Sequence, residues 1–335
     1  MHWLEHNWYR ISAPHLVLWP LSLAFGAAAA TRRALYRGGV LETVRPPVPV
    51  IVVGNITVGG TGKTPLVSWL AHFLREHGHA PGIVSRGYRS SACAPRRAQP
   101  DSDPAVVGDE PVLLARRAGC PVWVGAHRAA AAHALLAAHP NCSVIVSDDG
   151  LQHYALARDI EIAMIDGARG LGNGMLLPAG PLREPPRRLA AAAAIVTNGA
   201  ALFPREELPP AVPLFEMRLV GGSFYNLLNP EQHVGPEHFL QQHVHAVAGI
   251  GNPQHFFEHL RELGISFIAH PFPDHHPFAA DDFVFAGRSD AVIVTEKDAV
   301  KCERFCTENF WALRVDAEVE PGLGEQVLHK LGKNA

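Results

Sequence analysis

Residues 57–64 form a glycine-rich stretch whose residue types and spacing suit phosphate binding. The stretch reads TVGGTGKT, follows a β-branched run at 49–53 and precedes a helical pattern that begins at Pro65. Glycines let successive backbone N–H groups turn towards phosphate oxygens, and the N-terminus of the following helix adds positive potential. Lys63 is suited to bridging terminal phosphates and the Thr64 hydroxyl to binding Mg²⁺. The stretch therefore predicts a nucleotide phosphate loop.

One position of this loop departs from the usual pattern, because Thr57 stands where a glycine is normal. Gly59 and Gly60 are expected to supply the flexibility instead. The alternative is a glycine-rich turn without a ligand, which the intact GKT sequence after a strand disfavours. The residues expected to contact the nucleotide are Thr57, Gly59, Gly60, Thr61, Gly62, Lys63 and Thr64.

Two acidic loops provide candidate metal ligands and a candidate base. Asp148 and Asp149 follow an apolar strand pattern at 144–147, as in a Walker B element, and adjacent carboxylates suit Mg²⁺. An ordinary Asp-Gly turn is the alternative. Asp109 precedes a helical pattern, where it can cap the helix or, if buried near the γ-phosphate, act as a general base. Phosphoryl transfer needs both functions.

Other charged loops carry weaker signals. The Asp274-His275 pair lies far along the chain and can reach the phosphate loop only if two domains close over a cleft; otherwise it is a solvated loop. The loops SRGYR (85–89) and LREP (182–185) contain arginines. Each arginine can clamp a phosphate with two hydrogen bonds or remain solvated.

The order of the elements predicts an α/β fold with a doubly wound parallel sheet. Strand patterns at 49–53, 82–85, 122–125, 144–147, 160–165 and 194–198 alternate with helical stretches. Ligands bind beyond the carboxyl ends of such strands, which is where the loops above lie. A pair of linking strands is expected at 214–219 and 223–227, around Gly221 and Gly222. Further strands at 244–248, 265–269 and 291–294 then form a second, smaller α/β domain. We therefore expect a phosphate-loop core at 41–214 and the smaller domain at 215–335.

The composition argues against some classes of partner and of fold. The chain of 335 residues has a net charge of −3, so no global basic field indicates a nucleic-acid partner. Its five cysteines are widely spaced and odd in number, which favours a reducing compartment over a disulfide framework. They are Cys93, Cys120, Cys142, Cys302 and Cys306.

Residues 1–40 contain an apolar run at 16–30, with Arg10 before it and Arg32 and Arg33 after it. The run is short for a transmembrane helix and contains Pro20 and Gly26. A secretory signal fits the apolar run but not a nucleotide-binding loop, since ATP is cytosolic. We favour a helix that lies in the bilayer interface, with arginines against anionic headgroups. A helix packed on the protein core is the alternative.

Taken together, these motifs resemble those of the tetraacyldisaccharide 4′-kinases of lipid A synthesis. The shared sequences, in the family's order, are GNITVGGTGKTP, SRGY, GDEP, DDGLQH, GNGMLLPAGPLREP, AGIGNP, FPDHH and VTEKD. They span Gly54 to Asp298, which is nearly the whole chain. The resemblance implies transfer of the ATP γ-phosphate to the 4′-hydroxyl of tetraacyldisaccharide 1-phosphate. It also implies a peripheral or monotopic enzyme at the cytoplasmic face of the Gram-negative inner membrane.

The resemblance assigns roles motif by motif. Lys63 and Thr64 would hold phosphate and Mg²⁺, and Asp109 would be the catalytic base with a histidine of the DHH sequence as its partner. Counting along the motif does not separate His275 from His276, and we choose His275 because it directly follows Asp274. The metal ligands would be Thr64, Asp148, Asp149 and Glu184. The phosphate or substrate contacts would be Arg128, Gln152, His153 and Arg183.

Two other function classes compete, namely a non-kinase P-loop protein, such as a regulatory GTPase or a metallochaperone, and a soluble small-molecule kinase. A P-loop regulatory GTPase would usually carry Asn/Thr-Lys-x-Asp for guanine, and TEKD (295–298) has a similar composition with the wrong spacing. A metallochaperone-type nucleotide-binding protein would be expected to show clustered Cys or His ligands, which the sequence lacks. A soluble small-molecule kinase of the same fold would not need residues 1–37 for activity.

Overall fold

The computed structural model describes residues 8, 9, 13–87 and 94–334. The sequence features at Arg10, Tyr88, Arg89 and Cys93 lie outside these residues. Within the described part, strands from both halves of the chain form one 13-stranded sheet, and helices cover its faces.

The helices are α1 (Ala13–Arg37), α2 (Lys63–Glu76), α3 (Pro104–Val107), α4 (Asp109–Arg117), α5 (Arg128–Ala138), α6 (Pro253–Glu262), α7 (Glu296–Cys302) and α8 (Gly322–Asn334). Short 3₁₀ helices lie at Pro186–Ala191, Arg205–Glu207, Pro236–Phe239 and Ala280–Phe283. The strands are β1 (Val50–Asn55), β2 (Pro81–Ser85), β3 (Arg96–Ala98), β4 (Val122–Val124), β5 (Val144–Asp148), β6 (Ile160–Asp166), β7 (Ala194–Asn198), β8 (Leu214–Asn226), β9 (His233–Val234), β10 (Val244–Ala248), β11 (Ile268–Pro271), β12 (Ala291–Thr295) and β13 (Phe310–Val319).

The sheet order brings the phosphate loop and the acidic loop together. The order is β11-β10-β12-β13-β8-β7-β6-β1-β5-β2-β4-β3, with β9 beside β8. β1 and β5 are parallel neighbours with Val53 opposite Asp148, so the loops that follow them leave the sheet at the same edge. Both strands are buried along their whole length, as expected for central strands with helices on both faces. The predicted α/β class with a largely parallel sheet is confirmed.

The expected pair of short strands around Gly221 and Gly222 is wrong. β8 is a single 13-residue strand that runs through both glycines. It pairs in parallel with β7 at its start and antiparallel with β13 beyond, so the two-strand connection is made by β8 and β13. A Cβ at Gly221 would lie 2.2 Å from the Arg314 carbonyl oxygen, next to a register shift in β13. Gly221 therefore allows a close backbone approach at an irregularity rather than a turn.

The cores follow the two halves of the sheet, with exceptions. One buried cluster lies on each face of the β1 half, and two others surround β10 and β12. The exceptions include Val300 of α7 and also α8, whose Leu323, Val327 and Leu331 join the core of the β1 half. The division of the chain at residue 214 remains a prediction. The strand expected at 265–269 is shifted to Ile268–Pro271, because Ile265 is buried in the core before the strand begins.

Helix α1 contacts the rest of the protein through one narrow strip of its surface. The Ser22 hydroxyl donates to the Leu176 carbonyl and accepts from the Ala179 N–H, both at 2.9 Å. Gly26 comes close to the Leu176 side chain. The opposite face is apolar and exposed, with Val17 at 77% and Leu21 at 59% exposure. In the part of the chain that the structure describes, no helix has the length and hydropathy to cross a membrane.

Candidate active site

The phosphate loop lies between β1 and α2. Gly62 has a left-handed backbone (φ 82°) and directly precedes Lys63, the first residue of α2. Gly59 also has a positive φ of 113°. L side chains rarely adopt these angles, which explains why glycines occupy the two positions. The loop thus presents backbone N–H groups and a helix N-terminus at the edge where ligands bind in such sheets.

Thr57 is held in an extended bridge rather than in a flexible turn. It pairs with Leu182, and the neighbouring Val58 N–H donates to the Pro181 carbonyl at 2.8 Å. The Asn55 side-chain amide lies 3.4 Å from the Thr57 hydroxyl. Because the backbone of Thr57 has no positive φ, this position does not need glycine. The extended backbone at Thr57 therefore explains why a residue other than glycine can stand at this position of the loop.

A loop from the other half of the sheet contacts the phosphate loop. A Cβ at Gly251 would lie 2.3 Å from the backbone nitrogen of Gly60, so only glycine fits this approach. Arg169 donates to the Gly251 carbonyl at 3.2 Å, and the Asn252 amide donates to the Asp166 carboxylate at 3.0 Å. The AGIGNP sequence is thereby explained as a loop that meets the phosphate loop backbone to backbone.

Asp148 and Asp149 lie beside Lys63, and their loop is held in place by Arg128. The Arg128 guanidinium is buried and donates to the carbonyl oxygens of Asp148 at 2.6 Å and Asp149 at 2.9 Å. Its Nε and Nη1 have no hydrogen-bond partner among the described residues. Burial, opposed by Asp149 and Asp148, lowers the pKa of Arg128 to about 10. Arg128 therefore remains a cation at neutral pH, with the N–H groups of two nitrogens available.

The two aspartates differ in their electrostatic environment. Burial, followed by the Glu110 and Asp149 charges, raises the pKa of Asp148 to about 7. Burial also acts to raise the pKa of Asp149, but Lys63, Arg183 and Arg128 outweigh it and hold that pKa well below its ordinary value. The Lys63 Nζ lies 3.5 Å and the Arg183 Nη1 3.4 Å from the Asp149 carboxylate. An additional cation would relieve the cost of the buried Asp148 charge.

Glu184 does not join these two aspartates. Its carboxylate accepts from the Gln152 amide at 3.2 Å and from the Tyr154 hydroxyl, and Arg188 lies 3.7 Å away. Among the described residues, no three His, Cys, Asp or Glu side chains gather into a metal site. Glu184 is thus held by protein groups apart from Asp148 and Asp149, and the role of the four residues as metal ligands stays a prediction.

His153 lies in a cationic surrounding. Burial first, and then the charges of Arg128, Arg86 and Arg32, lower the pKa of His153 to about 3. Its imidazole is therefore neutral at physiological pH. Arginines around a neutral imidazole next to the acidic loop form a region suited to an anionic group.

Asp109 and His275 meet across the two halves of the chain. The His275 Nδ1 lies 3.0 Å from the Asp109 Oδ2 and 3.2 Å from its Oδ1. Burial acts to raise the pKa of Asp109, but the His275 hydrogen bond and the Lys297 and Lys301 charges outweigh it and hold the pKa far below its ordinary value. His276 instead pairs with Asp282 at 2.9 Å. The structure therefore provides an ionised carboxylate at the N-terminus of α4 with a histidine donor.

His275 also has an unusual backbone. Its φ of 57° is in the left-handed region, as is that of Asp149 at 48°. Such angles cost a non-glycine residue about 1–3 kcal/mol and cluster at functional sites. Both positive-φ side chains thus belong to the candidate active site.

Sequence reasoning missed Lys297 and Lys301 of α7 and Tyr154. Lys297 lies 2.9 Å from Glu110 and 3.2 Å from His275, and Lys301 lies 3.8 Å from Asp109. VTEKD, one of the motifs shared with the family, contains Lys297, but the resemblance gave no role to this lysine. Tyr154 follows DDGLQH directly, and that position was the available signal for it.

A phosphate loop, a paired-carboxylate loop and a buried carboxylate held ionised define a P-loop phosphotransferase class. Comparison with known proteins narrows this class. The family model for "Tetraacyldisaccharide-1-P 4'-kinase" matches residues 14–332. The chain belongs to the tetraacyldisaccharide 4′-kinase family.

Individual similar proteins belong to the same family. The chain is 49% identical to the tetraacyldisaccharide 4′-kinase of Methylobacillus flagellatus, covering 98% of this chain and 96% of that protein. It is 51% identical to that of Azoarcus sp. strain BH72, covering 97% and 94%. The structure of LpxK from Aquifex aeolicus, described as an "apo" form in complex with ATP, has a TM-score of 0.79 and 29% identity over 95% of this chain and 99% of that one. A regulatory NTPase or metallochaperone function is not favoured.

Proposed function

We propose that this protein transfers the γ-phosphate of ATP to the 4′-hydroxyl of tetraacyldisaccharide 1-phosphate. The observation that carries the proposal is the ionised Asp109 beside His275, next to Glu110, whose charge acts on Asp148 in the acidic loop. Family membership supports the substrate class.

In the proposed reaction, Asp109 accepts the proton of the 4′-hydroxyl as the oxygen attacks the γ-phosphorus. The new O4′–P bond forms while the bond between the γ-phosphorus and the β–γ bridging oxygen breaks, and ADP leaves with the electron pair. A low pKa makes Asp109 a weak base but keeps it ionised. Phosphoryl transfer tolerates this, because its loose transition state depends mainly on positioning and electrostatics.

The nucleotide would be held by residues 57–64, with Lys63 on the terminal phosphates. The Thr64 hydroxyl and the carboxylates of Asp148 and Asp149 are hard oxygen donors that fit Mg²⁺, and the buried charge of Asp148 favours a cation there. When bound, Mg²⁺ would neutralise charge on the phosphates. The free N–H groups of Arg128 and the arginines near His153 support contacts with anionic groups of ATP or the lipid.

We also propose that α1 attaches the protein to the cytoplasmic face of the inner membrane. The helix turns Ser22 and Gly26 towards the body and leaves Val17, Trp19 and Leu21 exposed. This distribution is the reverse of that on an ordinary surface helix and suits insertion into a bilayer interface. An acceptor with four acyl chains would be presented at that surface.

The test is a transfer assay with purified protein, γ-labelled ATP, Mg²⁺ and tetraacyldisaccharide 1-phosphate in mixed micelles. We expect label on the lipid, at a position that phosphorus NMR assigns to the 4′-oxygen. An unlabelled lipid, with or without ATP hydrolysis, would contradict the proposed function.

A further inference from the structure

Lys297 lies next to His275 and has three hydrogen-bonding partners among the described residues. Its Nζ lies 2.9 Å from the Glu110 Oε1, 3.2 Å from the His275 Nε2 and 3.4 Å from the Asp274 Oδ1. An ammonium group has three protons and no acceptor. The number of partners equals the number of donors, and each partner must accept.

The contact with His275 fixes where the imidazole proton lies. Because Lys297 can only donate, the His275 Nε2 must carry a lone pair. A neutral imidazole then has its single proton on Nδ1, which is the nitrogen 3.0 Å from the Asp109 carboxylate. A doubly protonated ring would turn an N–H towards the ammonium. The geometry therefore selects the neutral Nδ1–H tautomer, which donates to the base.

The N-terminus of α7 holds Lys297 in position. The Thr295 hydroxyl accepts from the Asp298 N–H at 3.1 Å and donates to the Asp298 carboxylate at 2.7 Å. The same carboxylate accepts from the Gly249 N–H at 2.8 Å, and Lys301 lies 2.7 Å from its other oxygen. The TEKD sequence thus builds a capped helix start that is tied to the AGIGNP loop. Lys297, one turn before Lys301 on α7, thereby reaches Glu110 in the other half of the chain.

We infer that Lys297 is a positioning residue of the phosphotransfer reaction, which sets the tautomer of His275 and so orients Asp109. The inference rests on the proposed role of Asp109 as the base. Lys297 reaches Glu110 on α4 from α7, so the same side chain also links the two halves of the molecule at the site. Burial acts to lower its pKa, but Glu110, Asp109 and Asp274 outweigh it and raise the pKa, so Lys297 remains an ammonium donor.

The first test is nitrogen NMR of the full-length protein with ¹⁵N-labelled histidine. The His275 signals are assigned by their loss in His275→Gln. We expect a protonated Nδ1 and an unprotonated Nε2 in the wild type. A wild-type spectrum with the proton on Nε2, or on both nitrogens at neutral pH, would overturn the inference without any variant.

The second test compares Lys297→Met with two controls. Lys297→Met keeps the length of the side chain but cannot donate, so we expect the His275 tautomer to change and kcat to fall at least tenfold with little change in KM for ATP. Glu110→Gln removes the ion pair between the halves and keeps the donor, so it should keep the tautomer. Lys301→Met removes a charge near Asp109 without touching the His275 Nε2, so it should also keep the tautomer. Lys297→Arg retains a donor and should restore part of kcat.

The outcomes separate this inference from the proposed function. Lipid phosphorylation by the wild type together with an unchanged tautomer in Lys297→Met would overturn the role of Lys297 and leave the proposed function standing. A tautomer change of equal size in Glu110→Gln would also overturn the inference, because the change would then follow from loss of the Lys297–Glu110 ion pair and not from loss of the donor to His275. Absence of lipid phosphorylation by the wild type would overturn the proposed function itself, whatever the spectra give.

Discussion

His275 donates to Asp109 across 166 positions of sequence, with 3.0 Å between the Nδ1 and Oδ2 atoms. The contact joins the loop after β11 to the N-terminus of α4, and so joins the two halves of the sheet. The hydrogen bond holds the pKa of Asp109 low against the effect of burial. The candidate base is therefore completed by a residue from the far half of the chain.

The acid side of the pH–rate profile should respond to this contact. In the proposed reaction, transfer needs ionised Asp109, whose pKa is held well below its ordinary value. Activity due to this group should persist well into the acid range and fall only when pH drops through the lowered pKa. In His275→Gln the hydrogen bond weakens, so the acid limb of kcat/KM should move to higher pH. A profile identical to that of the wild type would contradict the coupling, and His276→Gln is the matched control because His276 pairs with Asp282.

The close approach of the phosphate loop and the AGIGNP loop can be tested at Gly251. In Gly251→Ala the new Cβ would lie 2.3 Å from the Gly60 nitrogen, so the backbone must move. We expect weaker ATP binding, measured by calorimetry, and slower turnover. Gly332→Ala is the control, because its Cβ would meet nothing within 4 Å. Wild-type ATP affinity in Gly251→Ala would show that the loops separate at no cost.

The buried ion pair of Arg188 and Glu161 should contribute strongly to stability. Arg188 forms two hydrogen bonds with the Glu161 carboxylate, at 2.7 and 2.8 Å. In Arg188→Met the carboxylate is left buried without its main partner, so we expect a loss of about 3–5 kcal/mol in the free energy of unfolding. Arg45→Met breaks an exposed pair with Asp159, with the arginine 66% exposed, and should cost less than about 1 kcal/mol. Urea unfolding measures both, and equal losses would contradict this account.

The exposed face of α1 should determine membrane binding. Replacing Trp19 and Leu23, which are 54% and 56% exposed, with serine should reduce sedimentation with anionic vesicles severalfold and leave the fold intact. Leu202→Ser is the control, because Leu202 is 77% exposed but lies outside α1. Equal vesicle binding by the wild type and both variants would contradict the role of α1 as the membrane contact.

Local features of the fold could be predicted from sequence, and long-range ones could not. Apolar runs at 49–53 and 144–147 correctly predicted β1 and β5, because buried parallel strands have a continuous hydrophobic pattern. Gly221 and Gly222 led to the wrong prediction of two short strands, because the long pairing of β8 with β13 overrides the preference of glycine for turns. Turn propensity is local, whereas the β13 partner is about ninety residues away.

In the candidate active site, too, local features could be predicted from the sequence and long-range contacts could not. The phosphate-loop residues are contiguous, so their type and spacing were sufficient. Asp109 and His275 could be paired only through the family resemblance, because nothing in the sequence reports a contact between distant loops. Glu184 was expected beside the aspartates but is satisfied by Gln152, Tyr154 and Arg188, which only the packing around the 3₁₀ helix reveals.

The most direct test of the account is single-turnover lipid phosphorylation by Asp109→Asn, together with its ATP affinity. The amide keeps the shape and the contact with His275 but cannot accept the hydroxyl proton. The account predicts a loss of about 10²-fold or more in the rate of transfer to the 4′-hydroxyl, with ATP affinity within about twofold of the wild type. Transfer at the wild-type rate, or an equal loss of transfer and ATP affinity, would contradict the role of Asp109 as the base.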